Sequence, residues 1–225
     1  TDSVTVPDVL FQAHSAPLNI AFYNSDKWGP DYTGDAFVAM HGSWNRGSRT
    51  GYKVVNGAVS ITPDGKPQKT LMQAAKAAGK RIGLVTTATV YDATPAGFAV
   101  NARSRRDSQV LVDLLADLQP DVLMGGGAEY FLPASVAGGK RKDGRDVMAA
   151  FRAAGHDVVR DIDGLKAAKG NRLLGLFALE DMDFEIDRDP KQQPSTAEMA
   201  AAALRALSKD SPEGFVLLVE NENTD

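Results

Sequence analysis

The sequence predicts an α/β fold, a mostly parallel sheet flanked by helices, with a small β-rich segment at the N-terminus. Two observations predict it. From residue 56 onward, segments with apolar residues at helical spacing alternate with short apolar runs, as in a parallel sheet built from strand–helix units. Before residue 56, short apolar runs alternate with turn signals, which favours antiparallel strands. We therefore expect two domains, a propeller-like β-rich segment over 1–55 and an α/β domain over 56–225.

Composition and charge narrow the function classes. The chain has 225 residues and a formal net charge of −4, which does not favour a nucleic-acid-binding role. It contains no apolar run long enough to span a bilayer, so no membrane role is expected. There is no Cys, which excludes disulfides and thiolate chemistry, and the three His residues limit any His-rich metal site. With no initiator Met, the sequence is expected to be processed or to be a piece of a longer protein.

The N-terminal segment holds both Trp residues and many Gly, Asn and Asp. Its apolar runs at 18–23, 36–40 and 52–55 are separated by turns at 31–35 and 45–48. Short strands at this spacing are typical of a propeller or a sandwich. About two hairpins are too few to bury a core without further strands.

The elements of the second domain follow from periodicity and from capping residues. Gly79 is placed to end the first helix, and Ser195 or Thr196 is placed to begin the last, with Glu198 in its first turn. Residues 181–194 are rich in charges and prolines and are expected to form an exposed loop. The predicted helices are 69–78, 108–118, about 144–154 and 195–207, and the predicted strands are 81–87, 121–124, 157–159, 173–179 and 215–219.

Carboxylates follow the last predicted strand at once. Glu220 comes directly after an apolar run, and Glu222 and Asp225 come soon after it. The carboxyl ends of parallel strands are where sites form in α/β sheets, and a buried charge is costly unless it is paired or bound to a metal. A polar turn after a strand would explain the same residues without a site, since acidic turns are common.

A second candidate follows the strand predicted at 81–87. Asp92 and Thr94 offer a carboxylate and a hydroxyl at the carboxyl edge of the sheet, and such oxygen donors suit Mg²⁺, with Glu220 as their partner. The alternative makes Thr94 the N-cap of a helix, Pro95 its first residue, and Asp92 a solvated turn residue.

Three arginines, Arg103, Arg105 and Arg106, follow about a dozen residues later. A guanidinium fork binds phosphate through two hydrogen bonds, but a run of arginines is more often a solvated face. The triple glycine at 125–127 lacks the Lys and Ser/Thr of a P-loop and is interpreted as a tight strand exit. His156, between a predicted helix and a predicted strand, is interpreted as structural.

Taken together, several stretches resemble alkaline phosphatases over about three quarters of the chain. They are Asn56-Gly57-Ala58, Lys69-Thr70-Leu71, Gly83-Leu84-Val85-Thr86-Thr87, Asp92-Ala93-Thr94-Pro95-Ala96, Asp121-Val122-Leu123-Met124-Gly125-Gly126-Gly127 and Gly214-Phe215-Val216-Leu217-Leu218-Val219-Glu220. The resemblance implies that Asp92, Thr94 and Glu220 are magnesium ligands. It also implies that Arg105 binds the phosphate and that Asp225 is a zinc ligand.

The opening Thr1-Asp2-Ser3 resembles the nucleophile motif of the same family. By that likeness Ser3 would become phosphorylated, and Asp2 would orient the arginine. The family continues this motif into an Ala-rich helix, whereas a β-like run ending at Pro7 follows here.

Residues 6–55 resemble part of a pyrroloquinoline-quinone (PQQ)-dependent sugar dehydrogenase of the sorbosone type. The stretches that carry this likeness are His14-Ser15-Ala16-Pro17-Leu18, Gly34-Asp35-Ala36-Phe37-Val38-Ala39, His41-Gly42-Ser43-Trp44-Asn45-Arg46 and Gly51-Tyr52-Lys53-Val54. In a whole propeller His41 and Arg46 would face the quinone. In a fragment of about fifty residues they would hold a loop together.

These resemblances lead to one main expectation, a metal-dependent phosphomonoester hydrolase that works through a phosphoserine intermediate. The family implies Mg and Zn as cofactors, small phosphate monoesters as substrates, a possible homodimer, and a periplasmic or secreted location. The histidine zinc ligands of the family have no counterpart here, so the zinc site is incomplete. The alternatives are a catalytically incomplete chimera or fragment that binds Mg²⁺, and a quinone-dependent dehydrogenase fragment.

Overall fold

The structure is a computed structural model that describes residues 16–22, 36–41, 54–55, 58–61 and 65–222. The chain divides into two compact units, Thr1–Lys53 and Val54–Asp225. Within the described ranges, every helix is too short or too polar to cross a lipid bilayer.

The first unit contains an antiparallel strand pair. Strand β1 spans Ala16–Phe22 and pairs with β2, Ala36–His41, with an irregular register between Pro17 and Asn19. Both strands lie where apolar runs predicted them. The turns predicted at 31–35 and 45–48 fall outside the described residues.

The second unit opens with a short hairpin and then forms a five-stranded sheet in which every strand pair is parallel. The hairpin is β3 Val54–Val55 and β4 Ala58–Val59, and the sheet strands are β5 Arg81–Thr89, β6 Val122–Gly126, β7 Asp157–Val159, β8 Leu173–Leu176 and β9 Phe215–Val219. Their spatial order is β7-β8-β6-β5-β9, so β5 lies between β6 and β9. The predicted α/β class with a mostly parallel sheet is confirmed.

Helices cover both faces of this sheet and create two apolar cores. The helices are α1 Leu71–Ala77, α2 Ala93–Ala99, α3 Ser108–Leu118, α4 Val147–Ala153, α5 Ile162–Ala167 and α6 Thr196–Leu207. One core joins α1 to α4 with Leu84 of β5, and the other joins α5 and α6 with the next residue, Val85. Adjacent strand residues serve opposite cores because side chains alternate between the two faces of a sheet.

Polar side chains begin most of these helices. Thr70 and Ser195 each form a capping box, with Gln73 and Glu198 respectively. Asp107, Asp146 and Asp161 cap α3, α4 and α5 by accepting a hydrogen bond from a backbone amide of the first turn. The prediction of a cap at Ser195 or Thr196 is therefore resolved in favour of Ser195.

Candidate active site

The carboxyl ends of the sheet strands meet at one edge, and the chain leaves β5 and β9 there carrying polar residues. Val85 of β5 lies opposite Val219 of β9, and the next residue, Glu220, donates its amide hydrogen to the Val85 carbonyl at 2.9 Å. Because β5 and β9 are parallel and adjacent, Glu220 and the turn after β5 lie at the same edge of the sheet.

The Glu220 carboxylate is buried and held by a threonine of the neighbouring strand. Only 6% of Glu220 is exposed, and its Oε2 accepts a hydrogen bond of 2.8 Å from the Thr86 hydroxyl. Thr86 is 1% exposed, and its Oγ1 in turn accepts the Ala88 amide hydrogen at 3.0 Å. Because the Thr86 oxygen accepts from Ala88, its hydroxyl hydrogen is free to point toward Glu220. This hydrogen bond orients the Glu220 carboxylate at the edge of the sheet.

Asp92, a candidate metal ligand, contacts Arg105, the candidate phosphate ligand. It is the N-cap of α2, and its carbonyl accepts the first helical hydrogen bond, from Ala96 at 2.9 Å. Its side chain makes no capping bond; Oδ1 instead accepts a 2.7 Å ion-paired hydrogen bond from Nη2 of Arg105. The Arg105 side chain remains 42% exposed, so the guanidinium can also reach a ligand.

This geometry corrects one sequence expectation about the start of α2. Thr94 is not the N-cap and Pro95 is not the first helical residue, because the helix begins at Ala93. Pro95 is tolerated in this first turn because its missing amide hydrogen would have had no helical acceptor. Thr94 lies in the same turn, two residues from Asp92, and is 8% exposed.

Two further carboxylates reach the same edge. The Glu222 amide donates to Thr87 Oγ1 at 2.9 Å, and Asp181 Oδ1 accepts the Thr89 amide hydrogen at 2.7 Å. Partial desolvation, followed by the negative charges of Asp92, Glu220 and Asp181, raises the pKa of Glu222 to about 7, although the residue remains exposed. The edge therefore concentrates negative charge around one arginine.

Sequence reasoning did not single out Asp181 or Thr86. Asp181 follows strand β8 in the segment that was predicted as an exposed loop, and the residue is indeed exposed. Its only sequence signal is a carboxylate a few residues beyond a strand. Thr86 looked like an ordinary strand residue, and its role appears only when β9 is placed beside β5.

The donors at this edge fit a hard cation better than a softer one. Asp92, Glu220 and Thr94 supply carboxylate and hydroxyl oxygens, which Mg²⁺ prefers, and Mg²⁺ usually keeps several waters besides one or two carboxylates. Within 58–61 and 65–222, no three His, Cys, Asp or Glu side chains form a group that could hold a metal ion. Among the described residues, the oxygen donors that the sequence predicted for a cation are the carboxylates of Asp92 and Glu220 and the hydroxyl of Thr94.

Several predicted site residues lie outside the described residues. These are Asp2, Ser3, Arg46 and Asp225. The nucleophile, its orienting acid, and the zinc ligand therefore remain predictions.

Arg103, Arg105 and Arg106 are all exposed, and within the described ranges only Arg105 forms an ion pair with another residue. The triple glycine at 125–127 allows the backbone near Glu180 to approach closely, because a Cβ on Gly126 would lie 2.0 Å from the Glu180 carbonyl oxygen.

Comparison with known proteins gives one consistent result. The alkaline phosphatase family model matches residues 31–225. Repressible alkaline phosphatase of Saccharomyces cerevisiae is 39% identical over 77% of this chain and 35% of that protein. The crystal structure of Thermus thermophilus alkaline phosphatase is 43% identical over 75% of this chain and 35% of that chain, with a TM-score of 0.69. A TAB5 alkaline phosphatase variant, solved with Mg bound, shares the fold at 23% identity and a TM-score of 0.59, over 73% of this chain and 45% of that one.

The matches cover a larger share of this chain than of its relatives. The matches extend over about three quarters or more of this chain, yet they span only 35% to 50% of the length of the curated relatives.

Proposed function

This chain belongs to the alkaline phosphatase family, and we propose that it carries the phosphate-binding and magnesium-binding part of a metal-dependent phosphomonoester hydrolase. The observation that supports this most directly is the ion pair between Asp92 and Arg105 at the edge where Glu220 leaves the sheet. The proposed substrates are small phosphate monoesters.

Arg105 is the proposed phosphate ligand. Its guanidinium presents several donors in a planar fork, and binding to Asp92 uses Nη2, which leaves other donors for the equatorial oxygens of a phosphoryl group. Asp92 limits the orientations that the guanidinium can adopt, so less conformational freedom is lost when phosphate binds. Charge that develops on those oxygens during transfer would be stabilised by the same donors.

Asp92, Thr94 and Glu220 are the proposed magnesium ligands. The ion would supply concentrated positive charge beside the phosphoryl group. Thr86 holds the Glu220 carboxylate at 2.8 Å, so this ligand is oriented before any ion arrives. The acidic surroundings, which include Asp181 and Glu222, favour a cation at this edge over a second anion.

Ser3 is the proposed nucleophile. Its hydroxyl oxygen would form a bond to phosphorus while the bond from phosphorus to the leaving oxygen breaks, and water would then release phosphate from the serine. Asp2 would orient Arg105, and Asp225 would be one zinc ligand. Zinc takes three or four protein ligands, so Asp225 would need further ligands. The histidine zinc ligands of the family have no counterpart in this sequence.

Hydrolysis of p-nitrophenyl phosphate at alkaline pH tests this function. Arg105→Ala is expected to lower kcat/KM by roughly 10²- to 10³-fold, the usual effect of removing one donor from a transition-state site. Arg106→Ala is the matched control, because Arg106 is an exposed neighbour without a described ion pair, and its rate should stay close to wild type. EDTA and Ser3→Ala should each abolish turnover. A rate that survives EDTA, Arg105→Ala and Ser3→Ala would contradict the proposed mechanism.

A second candidate is a site that binds Mg²⁺ without turnover. The observation that favours it is that the chain has only three His residues and that the histidine zinc ligands implied by the family resemblance have no counterpart among them, whereas the proposed magnesium ligands Asp92, Thr94 and Glu220 are all present. In that case Mg²⁺ would raise the melting temperature of the protein while p-nitrophenyl phosphate remained intact. Turnover that depends on Ser3 would exclude this candidate.

A further inference from the structure

Arg105 follows α2 in the chain, yet its guanidinium pairs with Asp92 at the start of that helix, thirteen residues earlier. The seven residues of α2 rise about 10 Å, and the four-residue step from Asn101 to Arg105 can span at most about 14 Å. The segment after α2 is therefore long enough to bring Arg105 back to the start of the helix. Its path determines from which side the guanidinium reaches Asp92.

The Asn101 side chain holds the beginning of this segment. Its Nδ2 donates to the carbonyls of Ser60 and Gln68, both at 2.7 Å, and its Oδ1 accepts a hydrogen bond of 3.0 Å from Gln73 Nε2. The amide thus makes three of the four hydrogen bonds open to it. These bonds tie the chain after α2 to the segment after β4 and to α1. We call Asn101 with its three partners the amide clamp.

Ser60, a member of the amide clamp, has a strained backbone. Its φ is +48°, in the left-handed region that residues other than glycine rarely adopt. Its carbonyl also accepts the Gln68 amide hydrogen at 2.9 Å, and its hydroxyl donates at 2.6 Å to the carbonyl of Gly97, in the last turn of α2. Such strain persists where surrounding contacts over-determine the conformation, commonly beside functional sites. Because Ser60 contacts both α2 and Asn101, it fixes the helix relative to the segment that follows.

Between the amide clamp and Arg105, the backbone is restrained on both sides. Ala102, 4% exposed, exchanges two backbone hydrogen bonds with Val59 of β4, at 2.8 and 3.0 Å. The Asp107 amide donates to the Ser104 carbonyl at 3.4 Å, which closes a turn with Arg105 at its second position. Helix α3 begins directly after Asp107. Arg105 therefore lies between a fixed strand contact and the start of a helix.

We propose that Asn101 is a positioning residue that, together with Ser60, sets the path of residues 101–105 and so the direction in which Arg105 presents its guanidinium to Asp92 and to phosphate. Asn101 acts only through Arg105. The consequence for phosphate rests on the proposed function, whereas the fixing of the segment does not depend on any ligand. If the clamp served stability alone, phosphate affinity of the folded protein would not depend on it.

Asn101→Leu tests the fixing of the segment, because it removes all three hydrogen bonds and keeps a side chain of similar size. Gln119→Leu is the matched control: its amide also makes two hydrogen bonds, to Ala116 and Arg172, but at the other end of α3 from Arg105. Without added metal or phosphate, amide hydrogen exchange over 102–107, relative to that of β6, should accelerate on the order of tenfold in Asn101→Leu only. Unchanged relative exchange in Asn101→Leu, or an equal effect of Gln119→Leu, would overturn the proposal.

Calorimetric titration with inorganic phosphate separates positioning from stability. Asn101→Leu should bind phosphate roughly 10-fold more weakly, because Arg105 is no longer oriented in advance, and Gln119→Leu should bind like wild type. In the Arg105→Ala background, Asn101→Leu should cause no further loss, since the residue through which it acts is absent. Equal losses in the two backgrounds would refute a role through Arg105. If the wild type binds no phosphate, the proposed function fails, and the exchange measurement still decides whether Asn101 fixes the segment.

Discussion

At the scale of single residues, Thr86 shows how one hydroxyl can serve both stability and a site. It donates to the buried Glu220 carboxylate and accepts the Ala88 amide hydrogen. Thr86→Val keeps the shape and removes both contacts, so we expect the free energy of unfolding to fall by about 1–3 kcal/mol. Mg²⁺ affinity should weaken roughly 10- to 100-fold, because the orientation of a ligating carboxylate is lost. Urea unfolding and calorimetric titration measure the two effects.

The control for this prediction separates the two roles of the hydroxyl. Thr70→Val also removes a buried hydroxyl, one that donates at 3.0 Å to the carbonyl of Ala99, the last residue of α2, whereas Asp92 and Thr94 lie at the first turn of that helix. It should lower stability by about 1 kcal/mol, as loss of an N-cap does, and leave Mg²⁺ affinity unchanged. Thr86→Ser should behave like wild type. Equal Mg²⁺ affinities in Thr86→Val and wild type would contradict the assignment of Glu220 as a ligand oriented by Thr86.

His156 gives the fold a pH dependence that is independent of the site. It is 5% exposed, and its ring nitrogens face the carbonyls of Phe151 and Pro120 at 3.1 and 2.9 Å. Burial lowers the pKa of His156 and outweighs these carbonyls, which act in the opposite direction. The unfolded chain therefore takes up a proton near pH 6.5 before the folded chain does, and stability falls as the pH drops below about 6.5.

The measurement is the free energy of unfolding from about pH 8 to pH 5. His156→Gln removes the titrating group, so its stability should depend less steeply on pH than that of wild type, by at most about 1.4 kcal/mol per pH unit. The variant will also be less stable overall, which does not affect the comparison of slopes. Parallel curves for the two proteins would show that His156 takes up its proton equally in both states.

At the scale of elements, Arg81 joins three elements at the edge of the sheet opposite the site. It begins β5, its Nε pairs with Asp121 before β6 at 3.2 Å, and its Nη1 donates to the Ala206 and Lys209 carbonyls at the end of α6. Its side chain is 11% exposed. It also donates to the Asn171 carbonyl.

Arg81→Met should therefore lower the free energy of unfolding by about 3 kcal/mol, because a mostly buried Asp121 charge and several carbonyls lose their donor. Arg81→Lys should recover only part of this loss, since an ammonium cannot reproduce the planar fork. Arg205→Met, an exposed position on α6, is the control and should stay within about 0.5 kcal/mol of wild type. Denaturant unfolding measures all three, and similar losses at 81 and 205 would refute the account.

The elements also show what the sequence can and cannot predict. Helix α3 and strands β7 and β9 begin and end as predicted, because apolar periodicity and breakers mark both ends. Helix α5 was missed, since six residues with a glycine give no clear period. Strand β8 ends three residues before the prediction, where the next residues instead bond to Gly125 and to the 3-10 helix after β6.

The same limit applies to the site. Asp92, Arg105 and Glu220 could be proposed because carboxylates and a guanidinium near strand ends have few structural reasons to be there. Thr86 and Asp181 could not, because their bonds to Glu220 and to the Thr89 amide join segments that are far apart in sequence. The start of α2 was misjudged for a related reason: Asp92 looked like a turn residue, and its carboxylate is diverted from capping by Arg105.

At the scale of the whole molecule, the two units can be followed by different signals. Both tryptophans, Trp28 and Trp44, precede Lys53, the end of the first unit, whereas every helix in the described part of the chain belongs to the second. Far-ultraviolet circular dichroism therefore reports unfolding of the second unit, and tryptophan fluorescence reports the first. The resemblance of residues 6–55 to a PQQ-dependent dehydrogenase stays a prediction, and it concerns mainly the first unit.

Mg²⁺ should raise the melting temperature that circular dichroism records for the second unit, because its proposed ligands, Asp92, Thr94 and Glu220, all lie in that unit. At about one hundred times its dissociation constant, a ligand of the folded state adds about 2.7 kcal/mol of stability. For a chain of this size that corresponds to a rise of roughly 5–10 °C in the Tm seen by circular dichroism. Asp92→Asn combined with Glu220→Gln should abolish the rise, whereas Asp189→Asn, at an exposed position, should retain it. A rise confined to the fluorescence transition would place the ion in the first unit and contradict the proposed site.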